Sequence, residues 1–368
     1  MDQQGQNGLL STFRQGWRAR RWPAWLMAFG LIGFYLWLYF EDREWFPFPN
    51  LMTQASEALG LENRWFLYGF LYCVAMMLGA VYYLRRHGNS RYNRIRISVN
   101  LFVQIMIAFT LPYVMYIFTN KDFYFSYLWP LKIEYLYPQT LSYYPLYIAI
   151  YSGVASLIAM PILALTIGKR WYCSWVCGCG GLANTFGDPW RHLTSTSTKS
   201  WKFEQGAVHT VLGLALITTL LVGIDFVAGD ELPAFHSSVS WLREAYGLVV
   251  GAVLAGVVGV GLYPLLGPRV WCRNFCPMAA MLGLIHKAGR FRIKVKPDMC
   301  ISCGNCTTYC EMGIDVRSYA QSNESFTRAA CVGCGQCAHV CPRGVLKLEN
   351  EAKPQKDKNR TGLNVLNV

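Results

Sequence analysis

The sequence predicts an α-helical integral membrane protein of about six transmembrane helices, ending in a small α+β domain folded around clustered cysteines. Three observations carry this expectation. Hydrophobic residues make up 53% of the 368 residues and charged residues only 15%, with a mean hydropathy of +0.22, more apolar than an ordinary soluble protein. Runs of about 20 apolar residues recur along most of the chain. Near the C-terminus, eight of the 14 cysteines fall into two dense runs.

Taken in order, the predicted spans are Trp22 to Phe40, Trp65 to Leu84, Ile97 to Phe118, Leu146 to Ile167, Ala207 to Val227, and Tyr246 to Leu266. They are apolar all round, as lipid-facing helices are, and lack the polar stripe of a soluble helix. Basic residues alternate with them. Arg14, Arg18, Arg20 and Arg21 precede the first span, and Arg85, Arg86, Arg91, Arg94 and Arg96 follow the second. Lys169, Arg170, Arg191, Lys199 and Lys202 follow the fourth, and Arg269, Arg273, Lys287 and Arg290 the sixth. The intervening loops are poorer in Lys and Arg, so the positive-inside rule predicts cytoplasmic termini for a multi-pass membrane protein. The formal charge of +13 is then a topology signal, and nucleic acid is not expected as a partner. Without a small-residue cleavage site, and with Glu41-Asp42-Arg43-Glu44 ending the first apolar run, the N-terminus reads as a retained anchor.

The expected organisation is a cytoplasmic segment 1–21, membrane hairpins 22–96, 97–206 and 207–290, a cysteine-rich domain 291–348, and a polar tail 349–368. In that domain Cys300, Cys303, Cys306, Cys310 and Cys331, Cys334, Cys337, Cys341 each show C-x2-C-x2-C-x3-C spacing, with Pro342 after the last. This is the double 4Fe-4S ferredoxin pattern, in which each run supplies three thiolates to one cluster and its fourth cysteine to the other. Cys300, Cys303, Cys306 and Cys341 are therefore expected on one cluster, and Cys331, Cys334, Cys337 and Cys310 on the second. Zinc ribbons rarely supply two complete runs of this kind, and a disulfide scaffold does not suit the reducing side of a membrane. Glu311 stands where bacterial ferredoxins often place proline, which bears on the local loop and not on ligation.

The fourth and sixth spans end in related words. Gly168-Lys169-Arg170-Trp171-Tyr172-Cys173-Ser174-Trp175-Val176-Cys177 and Gly267-Pro268-Arg269-Val270-Trp271-Cys272-Arg273-Asn274-Phe275-Cys276 share G-x-R-x-x-C-x-x-x-C, as expected of a duplicated hairpin. On a helix the i, i+4 spacing would put each pair on one side. Paired hairpins would gather Cys173, Cys177, Cys272 and Cys276 at the membrane face, with Cys179 able to replace one of them. Three readings stand open: a third cluster or metal site, thiols that cycle through a disulfide or bind copper transiently, and small buried residues at tight helix ends.

With these motifs, the chain resembles the NapH/NosR-type membrane polyferredoxins, by motif over roughly residues 145 to 345. Cys276-Pro277 keeps that family's proline, whereas Cys177 is followed by Gly178 and a further cysteine. The resemblance implies a subunit that relays electrons between the quinone pool and a redox partner, in contact with lipid and with other subunits of a respiratory complex. An alternative is a copper reductase or oxidase-assembly factor using the C-x-x-x-C thiols.

Other features are read more modestly. His209 is the one histidine within a predicted span, so a bis-histidine haem is not expected; it reads as a hydrogen-bonded packing residue before a quinone contact. Asp188, Arg191 and His192 read as a charge-pairing loop before a quinone or cluster-supporting site. Cys73 reads as packing. The aromatic loop Phe123 to Tyr144 reads as an interfacial anchor, and Gly251, Ala255 and Gly259 as a small-residue packing face.

Overall fold

The structure is a computed structural model that describes residues 8–43, 50–125, 141–228 and 233–351, with side chains from residue 22 onward. Among the described residues six helices are long and apolar enough to cross a membrane. They are α1 (Gly8–Phe40), α2 (Arg64–His87), α3 (Arg91–Thr119), α4 (Leu146–Thr166), α5 (Thr198–Ala228) and α6 (Pro233–Val258). Large apolar side chains such as Leu78, Leu157 and Leu220 stand exposed along them, and an apolar surface of this extent suits lipid better than water. The N-terminus of α2 is capped by the Asn63 side chain, which accepts from the amides of Trp65 and Phe66. Its last turn holds Arg85, Arg86 and His87, where positive charge complements the helix dipole.

The sixth span is displaced from its expected position. Its helix runs Pro233–Val258, and only a short separate turn, Tyr263–Leu266, follows. Pro264, which has no N–H to donate, sits in the first turn of that short helix and marks a fresh start there. The small-residue face packs within the chain in part: Gly259 is buried, and a Cβ there would meet Trp271. Ala252 and Gly256 are buried, and a Cβ on Gly256 would meet the Tyr35 and Tyr39 rings of α1, whereas Gly251 faces open space. In the aromatic loop, Phe123 packs edge-on against Phe125 and Tyr144; Trp129 and Pro130 lie outside the described residues.

After α6 the chain forms a helix Pro277–Ala288 and then a compact domain with a two-stranded antiparallel sheet. Strand β1 (Phe291–Val295) pairs with β2 (Leu346–Asn350), with Phe291 opposite Asn350 and Val295 opposite Leu346. The cysteine runs lie between the strands, on short helical turns. This domain does not hang free of the bundle. One continuous apolar core joins Met160 and Ala164 of α4, Val208 and Leu212 of α5, and Met278 and Leu282 to Phe291, Ile293 and Val332. The C-terminal ends of α2 and α4, the N-terminal end of α3 and the word after α6 all meet it. Tyr83 donates to the Gln336 side chain (3.1 Å), Tyr92 to the Gly333 carbonyl (2.7 Å), and Lys169 to the Ala329 carbonyl (3.0 Å). The Arg-rich ends of the spans thus converge on the cysteine-rich domain.

Candidate iron-sulfur sites at the end of the bundle

In the C-terminal domain each run coils around left-handed glycines. Gly304 (φ +80°), Gly333 (φ +61°) and Gly335 (φ +77°) take a conformation that side chains rarely adopt. A Cβ on Gly333 would also strike Arg170, and one on Gly335 would strike Tyr92. The fold groups the cysteines across the runs. Cys300, Cys303, Cys306 and Cys341 line one cleft with Ile301, Pro342 and Arg343. Cys310 instead lies within electrostatic reach of Cys331, Cys334 and Cys337. Burial pushes the Cys310 thiol up to about 12 and the Cys331 thiol up to about 11, so without a cationic core these groups hold their protons, and binding one would release them.

The donors fit 4Fe-4S clusters. Backbone amides point at sulfur: Val345 N–H donates to Cys341 Sγ (3.4 Å), Gly333 N–H to Cys331, and Met312 and Ile314 N–H to Cys310. Such bonds stabilise thiolate charge on a cluster. Among the described residues no three His, Cys, Asp or Glu side chains converge where a single ion would sit. Four thiolates on one zinc stand about 3.8 Å apart, given Zn–S bonds near 2.3 Å, so a more open set suits a polynuclear core.

The two helix-end words fold alike. Gly168 and Gly267 both have left-handed φ, +85° and +92°. One helical turn follows, Arg170–Cys173 in the first word and Trp271–Phe275 in the second. Each then closes with a wide bond from the second cysteine's amide, Cys177 N–H to the Tyr172 carbonyl (2.7 Å) and Cys276 N–H to the Trp271 carbonyl (3.0 Å). The second cysteine is extended and starts a new helix, Gly178–Asn184 or Pro277–Ala288. The pairs therefore do not share a helix, and it is the turn that brings their thiols together. Cys173, Cys177, Cys179, Cys272 and Cys276 form one electrostatically linked set, in which Cys177, Cys272 and Cys276 each act on Cys173 or Cys179. The hydrogen bond from Cys179 lowers Cys177 to about 6, while burial raises Cys173 to about 12 and pushes Cys276 well up.

Between these thiols and the second cysteine run lies a buried ionic network. Glu311, fully buried at 0% exposure, binds Arg269 (2.7 Å) and Arg191 (2.8 Å). Arg191 also binds Asp188 (3.0 Å), and Asp188 lies 3.5 Å from His87. The other Arg269 nitrogen, Nη1, reaches Cys272 Sγ at 3.8 Å. The carboxyl of Glu311 is held below the usual carboxylate range: burial works against the charge, and the two guanidiniums overcome it. The residue that departs from the ferredoxin pattern is thus a charged tie between domain and bundle. Asp188 and Arg191 pair with each other within one short helical turn and also reach beyond it, to His87 and to Glu311.

Some residues here carried no clear signal in the sequence. Asn100 donates to the Trp175 carbonyl (3.0 Å), Gln104 to the Val176 carbonyl, and Tyr72 to the Gly178 carbonyl (2.9 Å). Asn100 and Gln104 are spaced i, i+4 in an otherwise apolar span, and intramembrane polar pairs of this kind deserve a functional reading. His209 is exposed, with Nδ1 against the carbonyl of Gln205 in its own helix (2.6 Å). Cys73 is buried within α2.

Comparison with known proteins finds 4Fe-4S domain families over the segments that carry these cysteines. A 4Fe-4S dicluster domain family matches residues 299–346. A 4Fe-4S binding domain family matches twice, at 149–194 and 249–296, so both helix-end words fall within copies of one unit. The methylamine utilization ferredoxin-type protein MauN of Methylorubrum extorquens is 30% identical over 168 residues, covering 44% of this chain and 55% of its own length. MauN of Paracoccus denitrificans is 26% identical over 43% of this chain and 54% of its own. YccM of Escherichia coli, named for electron transport, is 24% identical over 45% of this chain and 47% of its own. The chain thus spans about half the length of these relatives. No solved structure matches. Fold, cysteines and family matches define the class, a protein with 4Fe-4S domains, and its relatives are named as ferredoxin-type and electron-transport proteins. Within that class the chain is similar to membrane-type polyferredoxins.

Proposed function

We propose that this protein is a membrane-embedded iron-sulfur relay, a subunit that passes electrons between the quinone pool and a redox partner on the cytoplasmic side of a bacterial inner membrane. In this reading the domain at 291–348 holds two clusters, on Cys300, Cys303, Cys306 and Cys341 and on Cys331, Cys334, Cys337 and Cys310. The helix-end thiols Cys173, Cys177, Cys272 and Cys276 hold a third. A bound 4Fe-4S cluster accepts and releases one electron at a time. The chain's own residues supply thiolates, direct backbone N–H groups at sulfur, and keep water from the junction. The observation that carries the proposal is the gathering of the helix-end thiols directly beside the second cysteine run, with Arg269 spanning from Cys272 to Glu311. The Arg-rich span ends that meet the domain support its cytoplasmic placement. Anaerobic iron quantitation with EPR of the dithionite-reduced protein tests this: about 12 irons per chain are expected, and about 8 would leave only the two clusters of the C-terminal domain.

One feature favours a second reading, copper reduction or oxidase assembly. Five thiols meet at the bundle end where a cubane needs four, and Cys179 hydrogen-bonds Cys177. Stoichiometric copper on these thiols, in a protein holding about 8 irons, would favour it.

A further inference from the structure

The junction between the two thiol sets carries more buried positive charge than its carboxylates balance. Arg96, Lys169, Arg191 and Arg269 are all buried there, and among the described residues Asp188 and Glu311 are the buried carboxylates that face them. Arg273, nearby, is neutralised by Glu204 at 2.7 Å. An excess of two positive charges remains. Both guanidiniums of Arg191 and Arg269 are spent on Glu311 and Asp188, so the excess resides on Arg96 and Lys169. Arg96 donates to Tyr83 (2.8 Å) and Ser174 (3.1 Å), neither of them charged. Lys169 is 2% exposed, and its ammonium donates to the Ala329 carbonyl at 3.0 Å. Leaving such groups charged and unmatched inside a protein is costly unless an anion is close.

The place of Lys169 says which anions. It lies one turn before Cys173 in the first helix-end word, and its ammonium is anchored two residues before Cys331 in the C-terminal domain. It acts electrostatically on Cys173, Cys272 and Cys331 alike. The second word has Pro268 at the corresponding position, so the cation is single, not duplicated. We propose that Lys169 is a shared counter-ion for two anionic iron-sulfur sites, that of Cys331, Cys334, Cys337 and Cys310 and that of the helix-end thiols. Four thiolates on an oxidised cubane core give a site of charge about −2, and about −3 after one-electron reduction. A cation between two such sites favours the reduced form of each. It is a positioning residue in this sense: it acts on the clusters through the field and not by ligation.

This inference rests on the third-cluster reading, and the experiment separates the two. Redox titration followed by EPR is carried out on the purified full-length protein and on K169Q, K169R and E311Q, with iron measured in each. K169Q is expected to make both sites harder to reduce, by about tenfold in the reduction equilibrium, which is 59 mV for a one-electron couple. K169R keeps the charge and is expected to stay within about threefold of the wild type. E311Q removes a negative charge from the same layer and should shift the neighbouring cluster the opposite way, towards easier reduction. Potentials unmoved in K169Q, an equal shift in K169R, or a shift of E311Q in the same sense as K169Q would each overturn the counter-ion role with the third cluster intact. A wild-type content of about 8 irons would instead remove the third cluster, and the sharing with it. If K169Q does not accumulate, the sign of the E311Q shift decides.

Discussion

The two helix-end words are built on one backbone plan and stabilised in two different ways. Both have a left-handed glycine, a single turn, a wide closing bond and a second cysteine that opens a new helix. In both words the second cysteine's sulfur accepts from the amide three residues on, Gly180 for Cys177 and Ala279 for Cys276 (3.4 Å), but in the second word Cys276 continues into Pro277 and a 12-residue helix. Arg273 ties that word to Glu204 of α5. The first word continues into Gly178-Cys179-Gly180-Gly181 and only a seven-residue helix, and its loop carbonyls are met by Asn100, Gln104 and Tyr72 of neighbouring spans. Irregular backbone at membrane depth needs such partners, because lipid supplies none. The comparison teaches that a duplicated motif fixes local geometry, while each copy must find its own way to satisfy the polar groups that geometry exposes.

The largest effects should come from the thiols. Replacing Cys276 by Ala removes one of the four symmetry-related cysteines and is expected to lose a whole cluster, about 4 irons. Replacing Cys179, whose counterpart in the second word is Met278, should lose none. Equal iron loss in both variants would make Cys179 a ligand and break the symmetry between the words. Next come the paired positions Gly180 and Ala279. A Cβ at Gly180 would overlap the Cys173 carbonyl, so Gly180→Ala should destabilise by about 3 kcal/mol, whereas Ala279→Gly should cost only about 1 kcal/mol. Thermal unfolding of the detergent-purified variants measures both.

Smaller again is the loss of a brace. Asn100→Leu leaves the Trp175 carbonyl without its donor and is expected to cost about 1–3 kcal/mol, broadening the EPR signal assigned to the helix-end site while leaving the C-terminal clusters unchanged. The smallest effect is in ionisation. In the iron-free chain Cys177, lowered to about 6 by its bond from Cys179, is a thiolate above that pH and should react with iodoacetamide at pH 7. Cys276, raised by burial, should need alkaline solution. Cys179→Ala should move the Cys177 onset to higher pH, bringing the two words closer together; mass-spectrometric mapping of alkylated sites reads the difference.

Much of this architecture was legible because it rests on local spacing. Apolar run lengths located the six long helices among the described residues, although the sixth begins at Pro233 and ends at Val258, with Pro264 in the first turn of a short separate helix. Duplication showed in the words themselves. The small-residue face was legible in part: Gly259 is buried against Trp271, but a period of four along a helix does not say which side meets α1, and there it is Gly256 that packs on Tyr35 and Tyr39. Glu311 was visible only as an oddity next to Cys310. Its burial and its two arginines depend on residues far away in the chain.

By itself the sequence determined the thiol inventory, the grouping implied by its spacing, and the segments long and apolar enough for a bilayer. These are covalent or periodic properties, and a few neighbouring residues suffice to state them. Only the tertiary structure decided which charges meet: Arg269 with Glu311, Lys169 with the Ala329 carbonyl, Tyr83 with Gln336, pairs separated by 42, 160 and 253 residues. The reason is physical. A charge in the sequence is stable in water wherever the chain runs, but a buried charge is stable only beside a partner, and that partner is chosen by how helices and loops pack.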